Sequence, residues 1–232
     1  MIEGRQRGSD PAVRASPGPA ESPWSPFRHS PFTVLWIATL VSNIGTWMQN
    51  AAAGWLMTGL SPDPFIVALV QVATSLPMFL FVLPAGALAD ITDRRHLLLV
   101  VQIAAAVIIA ILSLLVSAGT VTPFILLAFT FLAGSAAALI SPAWQAIVPQ
   151  LVPRRDLPAA VALNGAGVNA SRAVGPALAG LIIAAMGLAA PFWLNAISYL
   201  GVIAALFWWH PSGSTTRHLP ADLGGKYSRC NR

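Results

Sequence analysis

A cluster of charged side chains occupies residues 86–95, between two long apolar runs. The side chains there that can form ion pairs are Asp90, Asp93, Arg94 and Arg95. Charged residues make up only 9% of the chain, and a short, doubly basic connection between apolar helices is typical of the cytoplasmic side of a membrane protein. Gly86 lies four residues before Asp90, so both share one helix face, which favours close contact and an ion pair with a neighbouring helix. The pattern predicts a cytoplasmic connection, which serves either as a topological anchor alone or also as a moving part, a hinge or gate.

Arg172 lies in the middle of a later apolar run. An arginine at bilayer depth costs roughly 2.5–3.5 kcal/mol on insertion scales and must face protein or water. Asn169, three residues earlier, shares its helix face. Small residues at steps of four form a stripe on the same helix that lets another helix approach closely: Gly167, Ser171 and Gly175. We interpret Arg172 as part of a transport pathway or gate; the alternative is that it pairs with a helix carbonyl or extends to the membrane surface.

A polar and aromatic face lies on the first apolar run, where Asn43, Trp47 and Asn50 recur at intervals of four and three. Gln145, in the fourth run, could join this face. Uncharged amides and an indole suit a cavity for a substrate with polar and apolar parts. Packing between helices explains the same residues equally well.

Six apolar runs must position these side chains. Hydrophobic residues make up 56% of the 232 residues, and the mean hydropathy is +0.71. A soluble domain carries about 25% charged residues, and about 20 apolar residues suffice for a transmembrane helix. The sequence therefore predicts an all-α membrane protein with six spans, at Phe32–Met57, Phe65–Ala89, Leu97–Ser117, Pro123–Val148, Ala159–Met186 and Pro191–Trp209.

The positions of Lys and Arg predict the orientation. The three alternate connections 58–64, 118–122 and 187–190 contain neither residue. All of the 13 basic residues except Arg172 therefore fall on one side, which the positive-inside rule makes cytoplasmic. The sequence predicts a multi-pass protein of the inner (plasma) membrane with both termini in the cytoplasm.

The terminal segments differ in composition from the apolar runs. Residues 1–31 are rich in Pro, Ser, Gly and Arg and cannot bury enough surface to offset chain entropy. We expect a disordered cytoplasmic tail at 1–31, a six-helix transmembrane domain at 32–210 and a second cytoplasmic tail at 211–232.

Several function classes are disfavoured by the sequence. The single cysteine and four scattered histidines show no metal-ligand spacing. The spans contain no paired carboxylates or nucleophile–base arrangement, and no phosphate-binding loop occurs, so we expect neither an enzyme nor a cofactor. The net charge of +5 comes from basic pairs between apolar runs rather than from a basic face, so we expect no nucleic-acid partner.

The motifs resemble those of the major facilitator superfamily. Gly86-x-x-x-Asp90 with Arg94-Arg95 resembles its signature loop, although Ile91 stands where that loop usually has a basic residue. A span-five pattern resembles the antiporter motif of proton-coupled exporters: Gly167, Gly175, Pro176 and Gly180. Residues 27–211 are most similar to the bacterial branch of enterobactin exporters and transmembrane secretion effectors, in motifs such as 45–49, 89–95, 142–146 and 169–176.

The resemblance implies twelve helices in two pseudo-symmetric halves, each built from two inverted three-helix repeats, with the substrate between the halves. It implies an exporter of a small amphipathic molecule, with protons as a possible coupling ion. This chain matches the first half only, which predicts a truncated or frame-shifted sequence. The alternative is a non-transporting six-helix remnant, or a half that must pair with a second half or with itself.

Overall fold

In the residues that the structure describes, the protein is a bundle of six long helices preceded by one short helix. A computed structural model describes residues 22–91 and 93–209, with the backbone alone for residues 82–91. A 3-10 helix at Ser25–Arg28 precedes α1 (Ser30–Leu60), α2 (Pro64–Ile91), α3 (Arg94–Ser117), α4 (Pro123–Leu151), α5 (Leu157–Met186) and α6 (Ala190–Trp208). No strand occurs in these described ranges, which confirms the all-α prediction for them.

Each of the first five helices covers one predicted apolar run and extends it at one or both ends, whereas α6 begins one residue before its predicted run and ends one residue short of it, at Trp208. Local capping explains two of the starts: Asp93 Oδ1 accepts from His96 N at 3.0 Å, and Thr122 Oγ1 accepts from Ile125 N at 3.3 Å. These bonds satisfy backbone donors that the first turn leaves unpaired. Gly187, which ends α5, has φ +90°, a conformation that glycine adopts without strain.

Five of the six helices, α2 to α6, are long and apolar enough to cross a membrane. The first helix has 31 residues, which is sufficient length, but it is not among these candidates. Its middle carries several polar side chains that lower its hydropathy: Ser42, Asn43, Thr46, Gln49 and Asn50. The prediction of six spans is therefore confirmed for five helices.

The helices pack in a defined set of pairs. α1 contacts α5 and α6, α2 contacts α4, and α3 contacts α4 and α6. Two clusters of buried apolar residues stabilise these contacts. One includes Phe32, Leu98 and Ile147, and the other includes Met57 and Phe192. The first cluster lies where α1 and α3 begin, and the second lies where α1 ends and α6 begins.

One end of the bundle collects most of the arginines, and we call it the basic end. Arg95, in the first turn of α3, bonds to the last turn of α6, while Trp193 at the start of α6 donates to Ser117 Oγ at the end of α3. The basic end is therefore where α1, α3 and α5 begin and where α2, α4 and α6 end. Five of the six arginines in the described residues lie there: Arg28, Arg94, Arg95, Arg154 and Arg155.

The segment before α1 differs from the predicted tail. Residues 1–21 and 210–232 lie outside the described residues, but residues 25–31 form the 3-10 helix and the start of α1. Phe27 packs its ring against Trp36 and Phe32, with centroid distances of 5.1 and 5.8 Å. Side-chain hydrogen bonds from this segment to the start of α5 also hold it in place. Helical structure thus begins before residue 32.

Candidate functional site

Arg172 lies halfway along α5, in contact with the ring of Trp47 on α1. Its guanidinium carbon is 5.1 Å from the centroid of the indole, which is the geometry of a cation–π interaction. Arg172 follows Leu157 by 15 residues, which places it about 22 Å along the helix. Its side chain is exposed, and no carboxylate among the described residues forms an ion pair with it. A permanent positive charge therefore sits on an open face at mid-helix depth.

The small-residue stripe of α5 lies against α1. A Cβ placed on Gly175 would overlap Trp47 Cβ and lie 3.2 Å from Met48 N, and one placed on Gly167 would lie 3.3 Å from the Trp36 ring. Ser171, also buried, donates its hydroxyl to Gly167 O at 2.8 Å. The stripe is thus the contact that holds Arg172 beside Trp47.

The remaining predicted residues of α5 are exposed. Asn169 donates its amide to Gly165 O of its own helix at 2.9 Å and forms no hydrogen bond with Arg172. Pro176 is exposed, and a Cβ at Gly180 would meet no atom within 4 Å. These residues are therefore exposed on α5, as Arg172 is.

A cavity of about 530 Å³ lies between α1, α3, α4, α5 and α6. Polar residues from all five helices line it, including Thr39, Asn43, Gln102, Gln145, Asn164 and Tyr199. Of the four residues singled out as cavity-lining in the sequence, Asn43 and Gln145 are in this wall. Trp47 and Asn50 are not; both are half-buried elsewhere on α1.

The cavity lies in the half of the bundle near the basic end. Thr39 follows the start of α1 by nine residues, Gln102 the start of α3 by eight, and Asn164 the start of α5 by seven. At 1.5 Å per residue these positions are about 10–14 Å from the basic end. Arg172 is not among the lining residues; it follows Val168, the last of them on α5, by four residues, about 6 Å along the helix axis.

Charged residues between α2 and α3 form hydrogen bonds that connect the helices at the basic end. Gly86 and Asp90 belong to the last turns of α2, and their side chains lie outside the described residues. Asp93 caps α3, and Arg94 Nη1 donates to Ala146 O of α4 at 3.2 Å. Arg95 donates from Nε and Nη2 to Leu206 O of α6, at 3.1 and 2.9 Å, and a cation there complements the helix dipole.

A buried amide pair between α1 and α6 was not identified from the sequence. Asn195 Nδ2 donates to Gln49 Oε1 at 2.7 Å, and both side chains are buried. Gly45 makes room for them, since a Cβ there would lie 2.7 Å from Asn195 Oδ1. The sequence feature that could have indicated this pair is Gly45, which lies four residues before Gln49 on the same helix face.

A buried carboxylate at the start of α5 was also missed. Asp156 accepts from Ser25 Oγ at 2.6 Å, and its Oδ2 lies 2.9 Å from His29 Nε2. Arg155 Nε is 3.9 Å from the same carboxylate. Asp156 therefore ties the segment before α1 to the first turn of α5. An acid just before a helix was visible in the sequence, but its partners more than 120 residues away were not.

Comparison with known proteins adds family information to this geometry. The family model for transmembrane secretion effectors matches residues 21–228. The chain is 28% identical over 157 residues to the "Staphyloferrin A transporter" of Staphylococcus aureus, which covers 67% of this chain and 40% of that protein. It is 26% identical over 168 residues to the "Uncharacterized MFS-type transporter YfiS" of Bacillus subtilis, which covers 72% of this chain and 39% of that protein. No solved structure matches significantly. The chain thus spans about two fifths of these relatives' length.

Proposed function

The chain belongs to the transmembrane secretion effector family of major facilitator transporters, and on this premise we propose that it works as a secondary active exporter. Its substrate is a small amphipathic molecule, and export proceeds by alternating access. The energy comes from an ion or proton gradient, since the sequence has no phosphate-binding loop.

The single observation that carries this proposal is the position of Arg172. A cation at mid-bilayer depth must face water or protein rather than lipid. Because Arg172 is exposed in this chain, the open face of α5 borders a polar pathway or a second protein surface. Trp47 stabilises the cation there without neutralising it, so the charge remains available to a passing substrate.

The membrane arrangement is part of the proposal. We place α1 across the membrane with the five more apolar helices, with the basic end and both termini in the cytoplasm of a bacterial inner membrane. The helix contacts support inverted repeats, because exchanging α1–α3 with α4–α6 maps the α1–α5 contact onto α4–α2 and the α1–α6 contact onto α4–α3. Asp93, Arg94 and Arg95 then act with Gly86 and Asp90 as a cytoplasmic gate or latch.

A second candidate is a half that transports only when paired with a second half or a second copy, or a remnant that does not transport. Its support is the length of the relatives, of which this chain covers about two fifths. The open face of α5 would then be the surface that meets the other half.

Transport by the purified chain in proteoliposomes tests both candidates. The probes are staphyloferrin A, taken from the relative's name, and 4-methylumbelliferyl β-D-glucoside, with and without a proton gradient. We expect gradient-dependent accumulation that falls about tenfold or more in Arg172→Ala. Arg172→Lys should retain part of it because the charge remains.

The control is Arg154→Ala, which removes an exposed arginine of the basic end and should leave transport unchanged. Accumulation proportional to protein density per liposome indicates a single working chain, and proportionality to its square indicates paired copies. No movement of either probe beyond that through empty liposomes would reject the exporter proposal for this chain.

A further inference from the structure

The cavity near the basic end has walls from one chain only. Side chains of five helices line it, and its volume of about 530 Å³ falls within the ~300–1,000 Å³ of small-molecule sites. We propose that this cavity binds an uncharged solute that combines a ring with several hydroxyl or amide hydrogen-bond donors.

Two buried oxygen atoms of the lining lack hydrogen-bond partners. They are Gln102 Oε1 on α3 and Thr39 Oγ1 on α1, and Gln102 exposes only 4% of its surface. The large majority of buried side-chain polar atoms in folded proteins are paired. Because an amide oxygen only accepts, its missing partner must be a donor such as a hydroxyl, an amide or water. An occupant that donates here is therefore favoured over one that cannot.

An aromatic side chain in the wall is held in a fixed orientation. Trp144 is buried, and its Nε1 donates to Asn164 Oδ1 at 3.0 Å, so the indole cannot turn without breaking that bond. Apolar side chains, among them Ile140 and Val148, line the cavity beside it. In the proposed complex the ring of the solute packs against this indole and its polar part is directed to Gln102.

The absence of charged side chains from the cavity wall indicates an uncharged occupant. None of the lining residues is Asp, Glu, Lys, Arg or His. An ion transferred into such a site would lose hydration without gaining an opposite charge. Arg172 is not among the lining residues: it follows Val168, the last of them on α5, by four residues, and its guanidinium lies over the Trp47 ring, outside the wall.

Binding of a solute to this cavity does not depend on the proposed transport function. Only the conclusion that the bound solute is a transport substrate rests on that function. Binding itself can be measured at equilibrium, without a gradient or movement across a membrane. Failure of transport and failure of binding are therefore separate outcomes.

Equilibrium dialysis with the 232-residue chain in lipid nanodiscs tests the site. The probes are 4-methylumbelliferyl β-D-glucoside and the corresponding glucuronide, which carry the same ring but differ in charge. We expect retention of the glucoside over empty nanodiscs and at least about tenfold weaker retention of the anionic glucuronide. Gln102→Leu should weaken glucoside binding about fivefold. The matched control Gln71→Leu removes an exposed amide of α2 and should change nothing.

A second variant tests the same site without altering a buried residue of its wall. A Cβ at Gly165, on the cavity rim, would meet no atom within 4 Å, so Gly165→Phe is expected to place its ring across the mouth. It should abolish glucoside binding, whereas Gly180→Phe, also in open space but away from the cavity, should not. Equal binding of the two probes, unchanged binding in Gly165→Phe, or no retention over empty nanodiscs would overturn the proposal; the last result would leave water as the occupant.

Discussion

Asn195 and Gln49 form a side-chain hydrogen bond of 2.7 Å between α6 and α1, between the two apolar clusters. Both side chains are buried, and Thr46 and Ser198 contact the same Asn195 amide, at 3.5 and 3.2 Å. This small polar network specifies how the two helices are aligned, because sliding either helix by one residue would separate the amides. The polar groups of α1 thus contribute to helix packing as well as to a cavity wall.

Removing one member of this pair should destabilise the bundle. Asn195→Leu leaves Gln49 buried without its partner, and we expect a loss of about 1–2 kcal/mol in the free energy of unfolding. The double variant with Gln49→Leu should recover part of the loss, since neither amide is then unpaired. Unfolding by SDS in mixed micelles, followed by circular dichroism, measures the change. Asn169→Leu, at an exposed amide bonded only to its own helix, serves as the control. A single variant as stable as the parent protein would contradict the assignment.

Substitution of Gly175 should separate α5 from α1. In Gly175→Val the new side chain overlaps Trp47, and we expect a cost of about 1–3 kcal/mol together with loss of the Arg172–Trp47 contact. Unfolding in SDS reports the stability, and the single-tryptophan fluorescence spectrum of Trp47, with the other tryptophans replaced by phenylalanine, reports the contact. Gly180→Val is the matched control, because its side chain would project into open space. Equal stability of the two variants would show that the close approach is unimportant.

Loss of the Asp156 carboxylate should release the segment before α1. Asp156→Ala removes the acceptor of Ser25 and His29, so the 3-10 helix loses its polar attachment to α5. We expect trypsin to cleave after Arg28, which is exposed, about tenfold faster than in the parent protein. Mass spectrometry of the released N-terminal fragment measures the rate. Asp63→Ala, which removes an exposed capping acid at the opposite end of the bundle, should leave cleavage at Arg28 unchanged. No difference between these two variants would contradict the attachment.

The sequence was sufficient to predict the helices but not which faces meet. Each apolar run became a helix because length and hydropathy are local properties, and Arg172 stood out because a charge inside such a run is costly. The stripe at Gly167, Ser171 and Gly175 predicted a close contact without identifying α1 as the partner.

Residues that depend on long-range packing could not be found in this way. Gln102 is a single amide in an apolar helix, and only the arrangement of the other four helices makes its oxygen a buried, unpaired acceptor. Asp156 was one acid among several at a helix start, and its burial depends on a segment more than 120 residues earlier. Contacts between distant parts of a chain leave no local periodicity to detect.

The turn at Gly187 limits how the last two helices can move. Only three residues separate Met186, the end of α5, from Ala190, the start of α6. Even fully extended, this connection spans at most about 14 Å between the two Cα atoms. The far end of α6 is in turn held to α3 by Arg95. A tilt of α5 therefore moves the start of α6 at one membrane surface. It also strains the hydrogen bonds between Arg95 and the end of α6 at the other surface.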